Sequence, residues 1–145
     1  MTDFAPQDAE FEARVRASFE RQRVMETIGA RLSRVAPGEV EIKLPFREDL
    51  TQQHGYLHAG IVAAVVDSAC GYAAMSLAAA GAEVLSIEFK LNLLSPARGS
   101  SFVARARVKR AGRNITVCTG DLYALEGASE KVVATMLATM MTVKS

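Results

Sequence analysis

The chain is 145 residues long, enough for one domain with a sizeable core and too short for two ordinary ones, so residues 1–145 read as a single domain. Hydrophobic residues make up 50% and charged residues 23%, a balance that excludes a disordered chain, and a formal net charge of +1 gives no electrostatic case for nucleic acid or an acidic partner. Two cysteines, Cys70 and Cys118, are too few for a disulfide framework and lie inside apolar runs, which reads as two buried thiols of a cytoplasmic protein; the acidic N-terminus lacks the apolar stretch of a secretory signal.

Residues 8–28 have the spacing of an amphipathic helix, making residues 1–28 an N-terminal helical extension. Phe11, Val15, Phe19 and Met25 mark one stripe, while Arg14, Arg16, Glu20, Arg21 and Arg23 lie largely elsewhere. Arginines alternating with glutamates are expected to form a solvated face, and the helix a peripheral packing element. A short strand is expected at residues 30–35, then a Pro37-Gly38 turn, then a strand in which Val40, Ile42, Leu44 and Phe46 alternate with Glu39, Glu41, Lys43 and Pro45.

Residues 47–57 are polar and irregular, and lead into a helix predicted over residues 58–80 and ended by Gly81. The run 59–82 is apolar and long enough for a bilayer. It is rich in Ala, Gly and Ser, no basic cluster flanks it, and Asp67 interrupts it at a cost on the order of a few kcal/mol in lipid. A helix buried on nearly every side of a soluble protein fits better than a membrane span. Strands follow: Leu85, Ile87, Phe89, Leu91 and Leu93 alternate with polar residues, residues 96–99 break the run, and further strands are expected at 102–109, 115–125 and 131–143. A helix that is apolar all round needs covering, and a strongly curved antiparallel sheet is the only material available. The expected fold class is therefore α+β: a hot-dog fold, one long buried helix wrapped by a curved antiparallel sheet, with an extra N-terminal helix.

The informative segment runs from Gln52 through His54, His58, Ala59 and Gly60 to Asp67 and Ser68. Asp67 is the only side chain charged at neutral pH between His58 and Glu83. It is either a functional carboxylate or one bonded to backbone or to a neighbouring subunit. The N–H groups of the first helical turn, near Ala59 and Gly60, have no intrahelical acceptor and could hold an oxyanion; Gly60 could equally serve close packing, and His58 a helix cap. Ala59 and Asp67 are eight residues apart, roughly 12 Å of helix, so one carbonyl cannot touch both within a chain. A two-fold dimer with antiparallel helices would bring them together at an interface.

The run HGYLHAGIVAAVVDSACGYAA, followed by EVLSIEFKLNLLSPARG, resembles the acyl-CoA thioesterases of the phenylacetate-degradation and 4-hydroxybenzoyl-CoA thioesterase type, over about residues 29–143. The resemblance rests on a His-Gly-Gly…Asp pattern with the acid nine positions after the histidine, here His58 and Asp67, and on an amide six positions before it, Gln52. It implies that Asp67 acts as general base or nucleophile, that the Ala59 N–H polarises the thioester carbonyl, that Gln52 orients water or the acyl group, and that His58 supports the helix end. Gly60, Ser68 and Ser86 are implied at the substrate, with Arg110, Arg113 and Asn114 on the CoA arm, although a solvated turn explains those three as readily. It implies an acyl-CoA substrate, no separate cofactor or metal, and a homodimer assembled into a tetramer. Two departures stand out. The middle glycine is Ala59, and strand parity sets Ser86 on the face opposite Leu85, Ile87 and Phe89, away from the helix unless the strand bulges. A hot-dog hydratase or dehydratase using His54 with Asp67, and a non-catalytic acyl-CoA-binding regulatory domain, are the alternatives.

Overall fold

The computed structural model describes residues 3–144; Met1, Thr2 and Ser145, at the ends of the predicted domain, lie outside the described residues. The elements are α1 (Phe11–Arg21), α2 (Arg23–Ile28), β1 (Arg31–Ala36), β2 (Glu39–Pro45), α3 (Ala59–Met75), β3 (Ala82–Leu93), β4 (Ser101–Ala111), β5 (Ile115–Glu126) and β6 (Ser129–Lys144). The strands form one antiparallel sheet in the order β1-β2-β4-β5-β6-β3. Period-two alternation puts Val40, Ile42 and Leu44 of β2, Phe102, Ala104 and Ala106 of β4, Cys118 and Leu122 of β5, and Ala134, Met136, Ala138 and Met140 of β6 on the inner face. These residues close around Val62, Val65, Val66, Ala69, Cys70 and Ala73 of α3. This is the hot-dog fold. No helix among the described residues is long and apolar enough to cross a membrane.

The sheet approaches α3 most closely at Gly120. A Cβ there would stand 2.8 Å from Val66 Cγ1 and 2.9 Å from Cys70 Sγ.

The N-terminal segment departs from its prediction twice. The expected single helix is two, broken at Gln22, which is extended at φ −80°, ψ 94°. The buried residues explain the break. At about 100° per residue, an unbroken helix would turn Ile28 to the side opposite Phe19. Bending at Gln22 lets Val15, Phe19, Met25 and Ile28 all be buried. Nor is the arginine face wholly solvated. Arg14 pairs with Asp8 at 2.9 Å and donates to Ala78 O at 2.8 Å, bonding a carbonyl just past the C-terminal end of α3.

That end comes earlier than the predicted residue 80. The helix stops at Met75, where Ser76, fully buried, donates to Ala73 O at 2.6 Å and accepts from the Gly38 N–H at 2.8 Å. Gly81, at φ +80°, belongs to the turn into β3 instead.

The contact at Gly120 makes the first prediction. Gly120→Ala should destabilise the fold by about 1–3 kcal/mol through overpacking, read as a lower urea midpoint with an unchanged slope. An unchanged midpoint would mean that the helix and sheet can separate without penalty.

Candidate active site

The polar segment before α3 is a tight loop. The Gln52 N–H donates to Tyr56 O at 2.9 Å and the Gly55 N–H to Gln52 O at 3.0 Å, with Gly55 at φ +84°. The Gln52 side-chain oxygen accepts from the backbone N–H groups of His54, at 2.6 Å, and Tyr56, at 3.3 Å. Its oxygen thus belongs to the loop, and its NH₂ group is the end left for a ligand.

His58 is the N-cap. Its Nδ1 accepts from the Gly60 N–H at 2.7 Å, and its carbonyl accepts from Ile61 at 2.9 Å and Val62 at 3.1 Å. The Val62 bond is an ordinary helical one, and three of the four N–H groups that the helix leaves without an internal acceptor are taken, that of His58 itself by Leu50 O at 3.0 Å. The fourth, on Ala59, meets no acceptor among the described residues. Ala59 and Gln52 line one cavity of about 390 Å³ with Tyr56, Val62, Leu93 and Pro96. Ala59 has an ordinary helical backbone, since no described non-glycine residue has positive φ, so replacing the middle glycine brings no conformational strain.

Asp67 lies two turns further along α3, half-exposed, on a stripe with Gly60, Ala63, Ala64 and Gly71 that the sheet leaves partly open. The Ser86 hydroxyl donates to Asp67 Oδ1 at 2.7 Å. Strand parity sets Ser86 away from the helix unless the strand bulges, and a register shift supplies that bulge. Ser86 pairs with Met140, but Glu88 pairs with Thr139, so β3 bulges at Ile87. Ser86 shares the helix-facing side with buried Met140. Leu85, opposite Met141, points outward and is 58% exposed.

Around Asp67 and Ser86 is a cleft of about 130 Å³, walled by Ser18, Gln22, Tyr72 and Glu83 among others. Ser68 is buried beside it, and its Oγ accepts from Gln22 Nε2 at 3.2 Å. Gln22 Oε1 is buried with no partner, which typically costs about 1–3 kcal/mol. Burial also raises the Tyr72 hydroxyl pKa, keeping it a neutral donor, and pushes both cysteine thiols up, Cys118 to about 12, which removes them as nucleophiles at neutral pH.

The remaining predicted residues stand apart. Arg110 is the penultimate residue of β4, and Arg113 and Asn114 lie in the β4–β5 turn. The latter two line a second cavity of about 390 Å³ with Leu77, Ala82 and Lys144, beyond the C-terminal end of α3. Within one chain that is at least the length of the helix, roughly 24 Å, from Ala59. The structure thus brings Gln52, His58, Ala59 and Gly60 together, joins Asp67, Ser68 and Ser86 in a second group, and leaves the basic turn at the far end. Ser18, Gln22 and Tyr72 were not foreseen in the second group, because nothing in their local sequence marks them.

A hot-dog helix with an open N-terminal amide at its head and one carboxylate midway is the class of site present. Its sequence agrees: the thioesterase superfamily matches residues 54–131, more than half of the chain and a span holding His58, Ala59, Asp67 and Ser86, with Gln52 just before it. The chain belongs to the thioesterase superfamily, and thioester hydrolysis is the chemistry that membership brings. A solved thioesterase family protein from Silicibacter pomeroyi is 51% identical, with a TM-score of 0.91 over 93% of this chain and 99% of that one. Human acyl-coenzyme A thioesterase 13 is 31% identical over 88 residues, 60% of this chain and 62% of that protein. The E. coli PaaI protein, from the phenylacetic acid degradation operon, shares the fold at 16% identity, with a TM-score of 0.85 over 96% and 97% of the two chains.

The cap geometry can be tested directly. His58→Ala should lower stability by about 0.5–2 kcal/mol, and His58→Asn, a strong N-cap, should recover most of it. Thermal melts of the three proteins measure this; equal melting temperatures would deny His58 its capping role.

Proposed function

We propose that the protein hydrolyses acyl-CoA thioesters at sites shared between two copies of the chain. One observation carries this reading: His58 occupies every amide of the first helical turn except that of Ala59, while the carboxylate able to act on a bound carbonyl is roughly 12 Å along the same helix. A second copy with its α3 antiparallel completes the site. With the partner's Asp67 beside Ala59, the two-fold axis passes near Ala63 and Ala64, half-exposed residues small enough for helices to approach closely. The edge strand β3 supports the same arrangement. It is unpaired on one side over its twelve residues, with Leu85, Ile87, Phe89 and Leu93 exposed, an edge that a lone domain is expected to cover. An outward cross-strand row of Leu85, Met141 and Ile115 offers the surface on which dimers would pair into a tetramer.

In this reading the thioester carbonyl lies against the Ala59 N–H, which stabilises the charge that develops on its oxygen. The Gln52 NH₂ group adds a neutral donor at the same cavity. The partner's Asp67, oriented by the partner's Ser86, removes a proton from water or itself attacks the carbonyl carbon. By either route the C–S bond breaks, CoA leaves as its thiolate, and water supplies the hydroxyl of the product acid. The same antiparallel pairing carries the partner's β4–β5 turn toward the Gln52 end, where Arg110, Arg113 and Asn114 would meet the phosphates of CoA. The hydratase alternative gains no support: no histidine among the described residues lines the Asp67 cleft of this chain, and His54 stands in the exposed loop.

Asp67→Asn should fold normally and lose about 10²–10⁴-fold in turnover of acyl-CoA esters, because the amide cannot take a proton. Retention of activity within a few-fold, measured by release of free CoA thiol, would remove Asp67 from the reaction. Sharing of the site has its own test. Asp67→Asn chains mixed with Gln52→Ala chains should regain activity that neither has alone, because half of the sites in a mixed dimer are intact. A fully active monomer by light scattering would contradict the shared site.

A further inference from the structure

Three features of the N-terminal segment converge on one place. The helix breaks at Gln22 with neither proline nor glycine there, the Gln22 amide donates to Ser68, next to Asp67, and the Ser18 hydroxyl donates to the Tyr72 hydroxyl at 3.3 Å. Both contacts lie on the wall of the Asp67 cleft. A segment that served only to cover α3 would be expected to bury apolar side chains there. This one presents a hydroxyl, of Ser18, and a carboxamide, of Gln22.

A bound thioester has two ends, and the cleft can take only one. The CoA arm is long, carries phosphates and must reach solvent, whereas this cleft has about 130 Å³ and has Glu83 on its wall, a charge that repels phosphate. The acyl end remains. The volume is slightly below that of a cavity known to hold benzene, on the order of 150 Å³. Tyr72 accepts from Ser18, which leaves its own proton for an acceptor on a ligand.

We propose that Ser18 and Gln22 of the N-terminal helices, with Tyr72 of α3, form the specificity wall of the acyl subsite, admitting compact acyl groups with a hydrogen-bonding atom at the far end and excluding long alkyl chains. The proposal rests on Asp67 marking the reacting centre. A ligand that enters here meets Ser18 and Gln22, which among the described residues are the part of the Asp67 cleft supplied from outside the wrapped helix and sheet. The wall can therefore change without disturbing the core packing at Gly120.

The test measures kcat/KM of the full-length protein on butyryl-, hexanoyl-, octanoyl- and dodecanoyl-CoA and on their ω-hydroxy counterparts. The wild type should favour the short and the hydroxylated esters. Gln22→Ala should raise the octanoyl-to-butyryl ratio about tenfold by lengthening the cleft, and Tyr72→Phe should reduce the preference for hydroxylated over plain esters by a similar factor. A wall that is merely structural would move all esters by one factor. That uniform change in both variants, with activity still lost in Asp67→Asn, overturns the specificity wall and leaves the reaction assigned. Activity surviving in Asp67→Asn overturns both. Melting curves identify any variant that has not folded, and Tyr72→Phe, which removes a single oxygen, carries the test if Gln22→Ala fails to fold.

Discussion

The structure turns on the burial of α3. A helix enclosed by a curved sheet can keep a carboxylate only where the enclosure is incomplete, because an unpaired charge in the interior is expensive to desolvate. The sheet encloses α3 from β2 through β6 and leaves one stripe half-open, and Asp67 lies on it with the Ser86 hydroxyl as its hydrogen-bond donor. Every other feature near the site follows from that opening. The stripe consists otherwise of glycine and alanine, β3 borders it as an edge strand, and the N-terminal helices pack against α3 beside it.

The head of the helix is governed by a second economy. A helix N-terminus offers four unsatisfied N–H groups, and satisfying all of them would stabilise the fold but leave nothing to polarise a substrate. The His58 N–H bonds Leu50 O, and His58 in turn engages the N–H of Gly60 through its ring nitrogen and that of Ile61 through its carbonyl. The result separates stability from reactivity at adjacent residues: His58 anchors the helix, and Ala59 keeps its amide open toward the cavity that Gln52 also lines. The Gln52 side chain is divided in the same way, its oxygen committed to the loop and its NH₂ group open.

Features that obey a local period were legible in the sequence; those set by long-range geometry were not. The inner face of β2 follows strict alternation, those of β4 through β6 follow it apart from bulges at Lys109 and Val133, and the start of α3 follows from polar residues giving way to an apolar run. Asp67 stood out because it is alone. Parity turned Ser86 away from the helix because parity is a local rule and the bulge at Ile87 is not, since it depends on how β3 registers against β6. The end of α3 was overestimated because the residues from Leu77 to Ala80 remain good helix formers, and Ser76 and Arg14 end it through contacts with Gly38 and with carbonyls there, invisible to a window on the chain. The break at Gln22 has no local signal, as glutamine is a fair helix former; it follows from which side of each half must be buried.

That last failure says where variation is affordable in such a fold. The contact between α3 and Gly120 has no slack, so residues facing one another in the core are constrained by packing and cannot readily be altered to suit a new substrate. The open stripe has no such constraint, because whatever covers it need only close a cleft. Here the cover is an appended pair of helices. It is tied to α3 at one end by Arg14 on the Ala78 carbonyl and in the middle by Gln22 on Ser68. A fold that keeps its carboxylate and open amide on the rigid helix, and receives its surroundings from segments added outside the sheet, can hold one chemistry constant while the shape beside it changes.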